Sequence, residues 1–247
     1  MSPKHWLVYD GKNFNDFNVY TSGEATFSSP EKNYETIEIV GRNGDLTIDY
    51  GTYKNIDVSY SCFIPYDLEK YGRAFRSFIA SRHGYCRLED TRHPDEYRMA
   101  RVLNGLEVNS AKLDVGSFEL MFNCKPQRYL KSGDQPITIS GSDNTIVNPT
   151  YMPAKPTFII SMSSYGTIVV NDVAFYITDP GNGNCIIDFE TMDAVQLDSS
   201  GEIVSWNNYV KDISNSIENL ELKAGSNNIS MSDGITSIEI IPRWWTL

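Results

Sequence analysis

The chain has 247 residues, a formal net charge of −11, 40% hydrophobic residues and 12% aromatics. That length can bury a core without disulfides or metal, and that composition excludes a disordered chain. The acidity argues against a surface that binds nucleic acid or anionic membrane over the whole protein. The charge is uneven. Residues 1–130 hold 16 Lys+Arg against 18 Asp+Glu, net −2, and residues 131–247 hold 5 against 14, net −9; nine of the ten arginines lie in the first part. Such asymmetry points to two modules with different surfaces.

The amino terminus lacks the apolar run of a signal peptide. The longest uncharged run, Pro156 to Asn171, is 16 residues with Pro, Gly and three serines, too short and polar for a membrane span. Cys62, Cys86, Cys124 and Cys185 show no paired spacing, so we expect reduced thiols in a protein folded in a cytoplasm.

In chain order, Ile37 and Ile39 alternate with Thr36 and Glu38, then Leu46, Ile48 and Tyr50 alternate with Thr47 and Asp49. Gly41-Arg42-Asn43-Gly44-Asp45 lies between, and Asn-Gly predicts a type I′ hairpin with half-buried strands. Ile56, Val58, Tyr60, Cys62 and Ile64 share one face of the next strand. The period then changes: Leu68, Tyr71, Phe75, Phe78 and Ile79 predict a helix of about fifteen residues, capped at Asp67 and ended before Gly84, with its aromatic stripe on a sheet. Leu113 to Cys124 reads as a strand with Phe118, Leu120 and Phe122 on one face.

Prolines and glycines break the chain over residues 125–156, and we place the domain boundary between Tyr129 and Gln135, giving domains 1–132 and 133–247. Beyond it, Phe158–Ser161, Thr167–Val170, Val173–Ile177, Cys185–Phe189 and Ile235–Ile241 read as short strands of a β-sandwich, with Asp179 to Gly183 as a loop. Val210, Ile213, Ile217 and Leu220 have helical spacing among poor helix formers and are read as loop or a short helical turn. The fold class is mainly β.

The chemistry-bearing residues form no catalytic set, so we expect no enzyme, metal or cofactor. His83, Cys86 and His93 fit no zinc spacing and read as loop histidines beside a buried thiol. Gly181-Asn-Gly183 lacks the third glycine of a dinucleotide loop, and Gly41 to Gly44 lacks the Lys-Ser/Thr of a phosphate loop. Asp188, Glu190 and Asp193 read as surface carboxylates rather than paired acids or calcium ligands. Two features remain. Lys70 to Arg101 carries eight basic and four acidic residues with Phe75, Phe78, Tyr85 and Tyr97 among them, and we read it as a protein interface before a nucleic-acid surface. Arg42, Asn43, Arg73, Arg76, Arg82 and Arg87 are the candidate oligomer contacts. Trp244 and Trp245 adjoin at the carboxyl end and cannot both be core in an exposed sheet. With Trp206-Asn207-Asn208 they are candidates for partner packing or for stacking on a sugar.

Taken in order, several segments resemble a known family: Tyr9-Asp10-Gly11, the Gly41 to Leu46 hairpin, Phe122-Asn-Cys124-Lys-Pro126, Asn148-Pro-Thr-Tyr-Met-Pro-Ala-Lys-Pro156, Cys185-Ile-Ile-Asp-Phe-Glu190, Leu222-Lys-Ala-Gly-Ser-Asn227 and the terminal Ile-Pro-Arg-Trp. The chain is similar to the distal tail proteins (Dit) of long-tailed, non-contractile bacteriophages over nearly its whole length. Thr150 stands where relatives often have glycine, and the Lys223-Ala-Gly225 turn lacks their usual proline. The resemblance implies an amino-terminal β-sandwich-like domain with one α-helix and a β-hairpin, and a galectin-like carboxyl-terminal β-sandwich. It implies a non-enzymatic homohexameric ring at the distal end of the virion tail. The ring would join the tail tube protein to the tail-associated lysin or fibre and, in many phages, to receptor-binding proteins, with DNA passing through its lumen. The alternative is a carbohydrate-binding module for a host surface glycan.

Overall fold

The structure is a computed structural model. It describes residues 5–21, 29–112, 114–177, 184–198, 203–206, 210–212 and 217–247; for 110–112, 204–206 and 211–212 it describes the backbone only. The chain divides into two compact units between Arg128 and Tyr129, and each is described separately.

The first unit is built on a long antiparallel sheet. Its strands run Lys12–Asn13, Leu7–Tyr9, Cys86–Asp90, Glu96–Val102, Val115–Leu130, Ile56–Ile64 and Tyr20–Thr21, with Asn109–Lys112 paired to the start of Val115–Leu130. Ile56–Ile64 pairs residue for residue with Gly116 to Cys124. The register puts Val58, Tyr60 and Cys62 beside Phe122, Leu120 and Phe118 on one buried face. The expected strand from Leu113 begins at Val115, and Leu113 itself lies outside the described residues.

The helix, Leu68–Ala80, lays Phe75, Phe78 and Ile79 on that face. Phe75 meets Phe14 edge-on at 4.8 Å, and Tyr9 meets Phe122 at 5.2 Å. The cap differs from expectation. Asp67 is left-handed (φ 53°) and its side chain caps nothing; its backbone carbonyl accepts the Tyr71 N–H at 3.1 Å. The helix ends at Ser81, whose hydroxyl donates to the Phe78 carbonyl at 2.8 Å, and Gly84 (φ +70°) turns the chain into the following strand. Gly116 admits the helix start: a Cβ there would lie 2.4 Å from Val108 and 2.7 Å from Leu68.

The hairpin forms, but apart from the main sheet. Lys32–Ile37 pairs with Leu46–Tyr53 as a separate two-stranded ribbon. The link between Ile37 and Leu46 is eight residues, not two, and its positive φ angles fall on Gly41 and Gly44, not on Asn43. Every residue from Tyr34 to Tyr50 is exposed, so the expectation of half-buried strands fails here.

The second unit is an antiparallel sandwich. One sheet runs Ile137–Ile139, Ile235–Ile241, Thr157–Met162, Cys185–Asp188, Asp193–Leu197 and Ile203–Trp206. The other runs Asp143–Asn148, Gly225–Met231, Gly166–Val170, Val173–Ile177 and Val210–Asp212. Alternating residues from both sheets fill one core, and Phe189 bridges them, 5.1 Å from Phe158 and 5.7 Å from Phe175. Ile217–Asn219 is a single 3-10 turn, Leu220 is core, and Ile213 and the 179–183 loop lie outside the described residues. No helix among the described residues is long and apolar enough to cross a membrane.

Candidate functional site

The arginine-rich segment does not make one face. Sheet geometry divides it, because neighbouring residues on a strand point oppositely. In Glu96–Val102, Arg98 and Ala100 turn inward while Tyr97 and Arg101 turn outward. Arg98 is buried beside Arg128, and burial lowers its proton affinity from the usual arginine value. The nearby Asp90 carboxylate accepts the Tyr60 hydroxyl at 3.0 Å. Burial raises the proton affinity of Asp90, but the His93 N–H and the Tyr60 hydroxyl outweigh it and hold the group below the ordinary range.

The candidate contacts are placed as follows. Arg73 is on the exposed side of the helix, with Nη2 2.7 Å from Glu69 Oε1. Arg82 lies over the Phe78 ring at 4.7 Å, with Nε 3.1 Å from Asp10 Oδ2. Arg87 stacks 3.7 Å over Tyr97 and pairs with Glu89 at 2.6 Å. Arg101 and Lys125 each lie 5.7 Å from the Tyr85 ring centre. Arg76 is exposed and lines a half-open cleft of about 350 Å³ with Tyr9, Ile79, Arg82, Arg101 and Leu106. Arg42 and Asn43 sit in the hairpin's loop, far along the sequence from the other candidates, and are exposed.

Composition gave no sign that the hairpin would be exposed, but its register explains the surface it presents. Glu35 stands opposite Ile48 and Ile37 opposite Leu46, so one face carries Ile37, Leu46, Ile48 and Tyr50, with Tyr50 donating to Glu35 at 2.7 Å. The other face is polar: Thr36, Thr47, Tyr34 and an Asp49–Lys32 pair at 3.5 Å. Val40 in the loop is 100% exposed.

In the second unit Trp244 is buried in the sandwich core, so its ring offers no stacking platform. Arg243, just ahead of it, is left-handed (φ 56°). Trp245 is half-buried against the same core, its Nε1–H donating to the Pro153 carbonyl at 2.7 Å. Trp206 ends a strand and its side chain lies outside the described residues, as do Asn207 and Asn208.

The acidic candidates are structural in their contacts. Asp188 takes Arg243 Nη1 at 2.9 Å and the backbone N–H of Glu190 at 2.9 Å. Burial raises its proton affinity, but the Arg243 bonds outweigh it and hold the carboxyl below its usual range. His83 offers its backbone carbonyl to the Cys86 thiol at 3.9 Å. Among the described residues no cluster of three His, Cys, Asp or Glu side chains could hold a metal.

The segments that carry the family resemblance are closures of the backbone. Asn148 donates to the Met152 and Leu222 carbonyls at 2.9 and 3.0 Å and accepts the Thr150 N–H at 2.9 Å. Asn227, fully buried, accepts the Lys223 N–H at 2.8 Å and donates to the Lys223 and Gly225 carbonyls at 2.8 and 2.9 Å. Each amide therefore satisfies several backbone groups at once.

No family model and no curated protein sequence matches the chain. A solved structure does. The crystal structure of the SPP1 Dit (gp 19.1) protein, described as a paradigm of the hub adsorption apparatus in phages infecting Gram-positive hosts, aligns over 98% of this chain and 99% of that one. The TM-score is 0.71 at 12% identity, so the likeness is one of fold. The chain has a Dit-like, mainly β fold.

Proposed function

We propose that the chain is a structural, non-catalytic hub protein of a bacteriophage tail tip. Copies form a homohexameric ring that joins the tail tube to the tail-associated lysin or fibre, with DNA passing through the lumen. The observation that carries this reading is the end-to-end likeness of fold: 98% of the chain aligns, a share that spans both units. A ring needs two different patches on each copy, so that each neighbour contacts the next head to tail. The first unit offers candidates for both in its arginine-bearing surfaces and its exposed hairpin. The acidic second unit, net −9, then points outward, where like charge keeps neighbouring copies apart.

Electron microscopy of the purified full chain, with sedimentation velocity across a concentration series, tests the reading. Six-fold rings, single or back to back, are the expected result. A strict monomer at every concentration, together with no labelling of the tail tip by antibodies raised to the chain, overturns it.

A further inference from the structure

The sequence holds three Asn-Gly pairs, at residues 43–44, 104–105 and 182–183. A glycine leaves its own backbone nitrogen unshielded, with wide freedom in φ, so that nitrogen can approach the carboxamide carbon of the asparagine before it. The fold decides whether the approach is open. The third pair lies outside the described residues, and the first two are held in opposite ways.

Asn104 is clamped. Its Nδ2–H donates to the Glu119 carbonyl at 2.8 Å, and its Oδ1 accepts the Met121 N–H at 2.8 Å. The Leu103 N–H donates to the Met121 carbonyl at 2.9 Å, which fixes the preceding residue to the same strand. Both ends of the carboxamide are tied to Val115–Leu130, so its carbon reaches the Gly105 nitrogen only if both bonds break. Asn43 has no such hold. Among the described residues neither its side chain nor the Gly44 N–H makes a hydrogen bond. Every residue from Glu38 to Asp45 is exposed, and Gly44 already sits at φ +81°. A separate two-stranded ribbon is marginal in water, so the segment that links its strands opens at low cost.

We propose that Asn43 is a site of spontaneous covalent modification, deamidation through a cyclic imide. Hydroxide takes the Gly44 backbone proton, and that nitrogen attacks Asn43 Cγ. The new N–Cγ bond closes a five-membered succinimide, the Cγ–Nδ2 bond breaks, and the amide nitrogen leaves as ammonia with a proton from water. Water then opens the ring. Addition at Cγ restores the backbone and leaves aspartate; addition at the Asn43 backbone carbonyl leaves isoaspartate. The balance is asparagine plus water to aspartate or isoaspartate plus ammonia, with no change of oxidation state. Glu38 and Asp45 against Arg42 give the loop a charge of −1, and the new carboxylate makes it −2. The isoaspartyl product also routes the backbone through the side chain and adds one methylene to the link between the strands. This chemistry belongs to the single chain and needs no ring.

The test ages the full chain at high dilution in mildly alkaline buffer, once native and once in guanidinium chloride. Digestion after lysine releases residues 33–54 and 71–112, which carry Asn43 and Asn104 separately. Fragment masses locate the exchange of NH₂ for OH, and an isoaspartyl methyltransferase labels the isomerised product. In the native chain Asn43 is expected to convert at least about tenfold faster than Asn104, whose two backbone hydrogen bonds must first be lost. In guanidinium chloride both pairs lose their surroundings and are expected to convert at similar rates. Asn43→Gln keeps the carboxamide but removes the five-membered closure, and its 33–54 fragment is expected to gain no methyltransferase label at residue 43. Native conversion of Asn43 no faster than that of Asn104 overturns the proposal. So does conversion of Asn43 that is at least about tenfold slower in the native chain than in the denatured one, because the fold would then be holding the loop closed.

Discussion

Leu46–Tyr53 and Ile56–Ile64 are consecutive strands written in the same period-two pattern, and they have opposite fates. In the second, every inward residue from Ile56 to Ile64 is buried against the helix and the Val115–Leu130 strand. In the first, all residues but Tyr53 are exposed, and Leu46 and Ile48 are 39% and 38% exposed. Alternation states which side chains share a face. It does not state whether the partner for that face belongs to the same chain. A half-polar strand is equally suited to a core and to a surface that a second molecule covers.

The comparison is broken most severely from the buried side. Phe122 is fully buried, in contact with Tyr9 and Tyr60. Phe122→Ala leaves a cavity and is expected to cost about 3–5 kcal/mol, lowering the melting temperature of the first unit by roughly 10 °C or more. Differential scanning calorimetry that shows a shift of under about 2 °C would contradict the assigned core.

Backbone closeness in the second unit ranks next. A Cβ on Gly133 would lie 2.4 Å from the Trp244 backbone nitrogen, which has no freedom to swing aside, and Arg243 N–H donates to the Gly133 carbonyl at 2.9 Å. Gly133→Ala is expected to cost about 2–3 kcal/mol, read as a shift in the urea midpoint with unchanged slope.

Arg243→Ala comes third, at about 2 kcal/mol, because it removes the charged hydrogen bonds to Asp188. It also carries a pH signature. The folded-state affinity of Asp188 for protons is lowered, so its contribution is complete above the unfolded carboxylate value of about 3.9 and is lost as pH falls through the lower folded value. The difference in stability between wild type and variant should therefore be flat near pH 7 and shrink below about pH 4. A difference independent of pH down to pH 2 would exclude the ion pair as its source.

Much of this architecture was legible in the residues. The three-and-four spacing from Leu68 to Ile79 gave the helix, and alternation gave the strands, because both depend on local geometry alone. The differences from the structure have distinct causes. Arg98 was counted with the basic surface because charge was summed along the chain, although its parity with Ala100 already placed it on the core side of the sheet. The hairpin loop was shortened to Asn43-Gly44, whereas two glycines three residues apart carry the positive φ angles. Arg98 follows strand parity against a sum of charge along the chain, and the hairpin link follows its two glycines against a two-residue turn rule.

The smallest stability effect is the most informative for the comparison. Leu46→Thr with Ile48→Thr removes apolar surface from the exposed face while placing a β-branched residue, suited to a strand, at both positions. In a monomer at high dilution these side chains give up few contacts on substitution, and a change within about 0.5 kcal/mol is expected, the usual range for surface positions. The matched substitution on the buried strand, Val58→Thr, places a hydroxyl in the core and is expected to cost about 1–3 kcal/mol. At concentrations where copies associate, the order reverses. The Leu46/Ile48 variant loses the stabilisation that binding confers by mass action, while the Val58 variant retains it as far as it folds. Melting temperatures measured against protein concentration separate the two: a wild-type slope that flattens in the hairpin variant identifies the exposed face as one completed by another molecule, and equal slopes for both would mean the hairpin is exposed in every state.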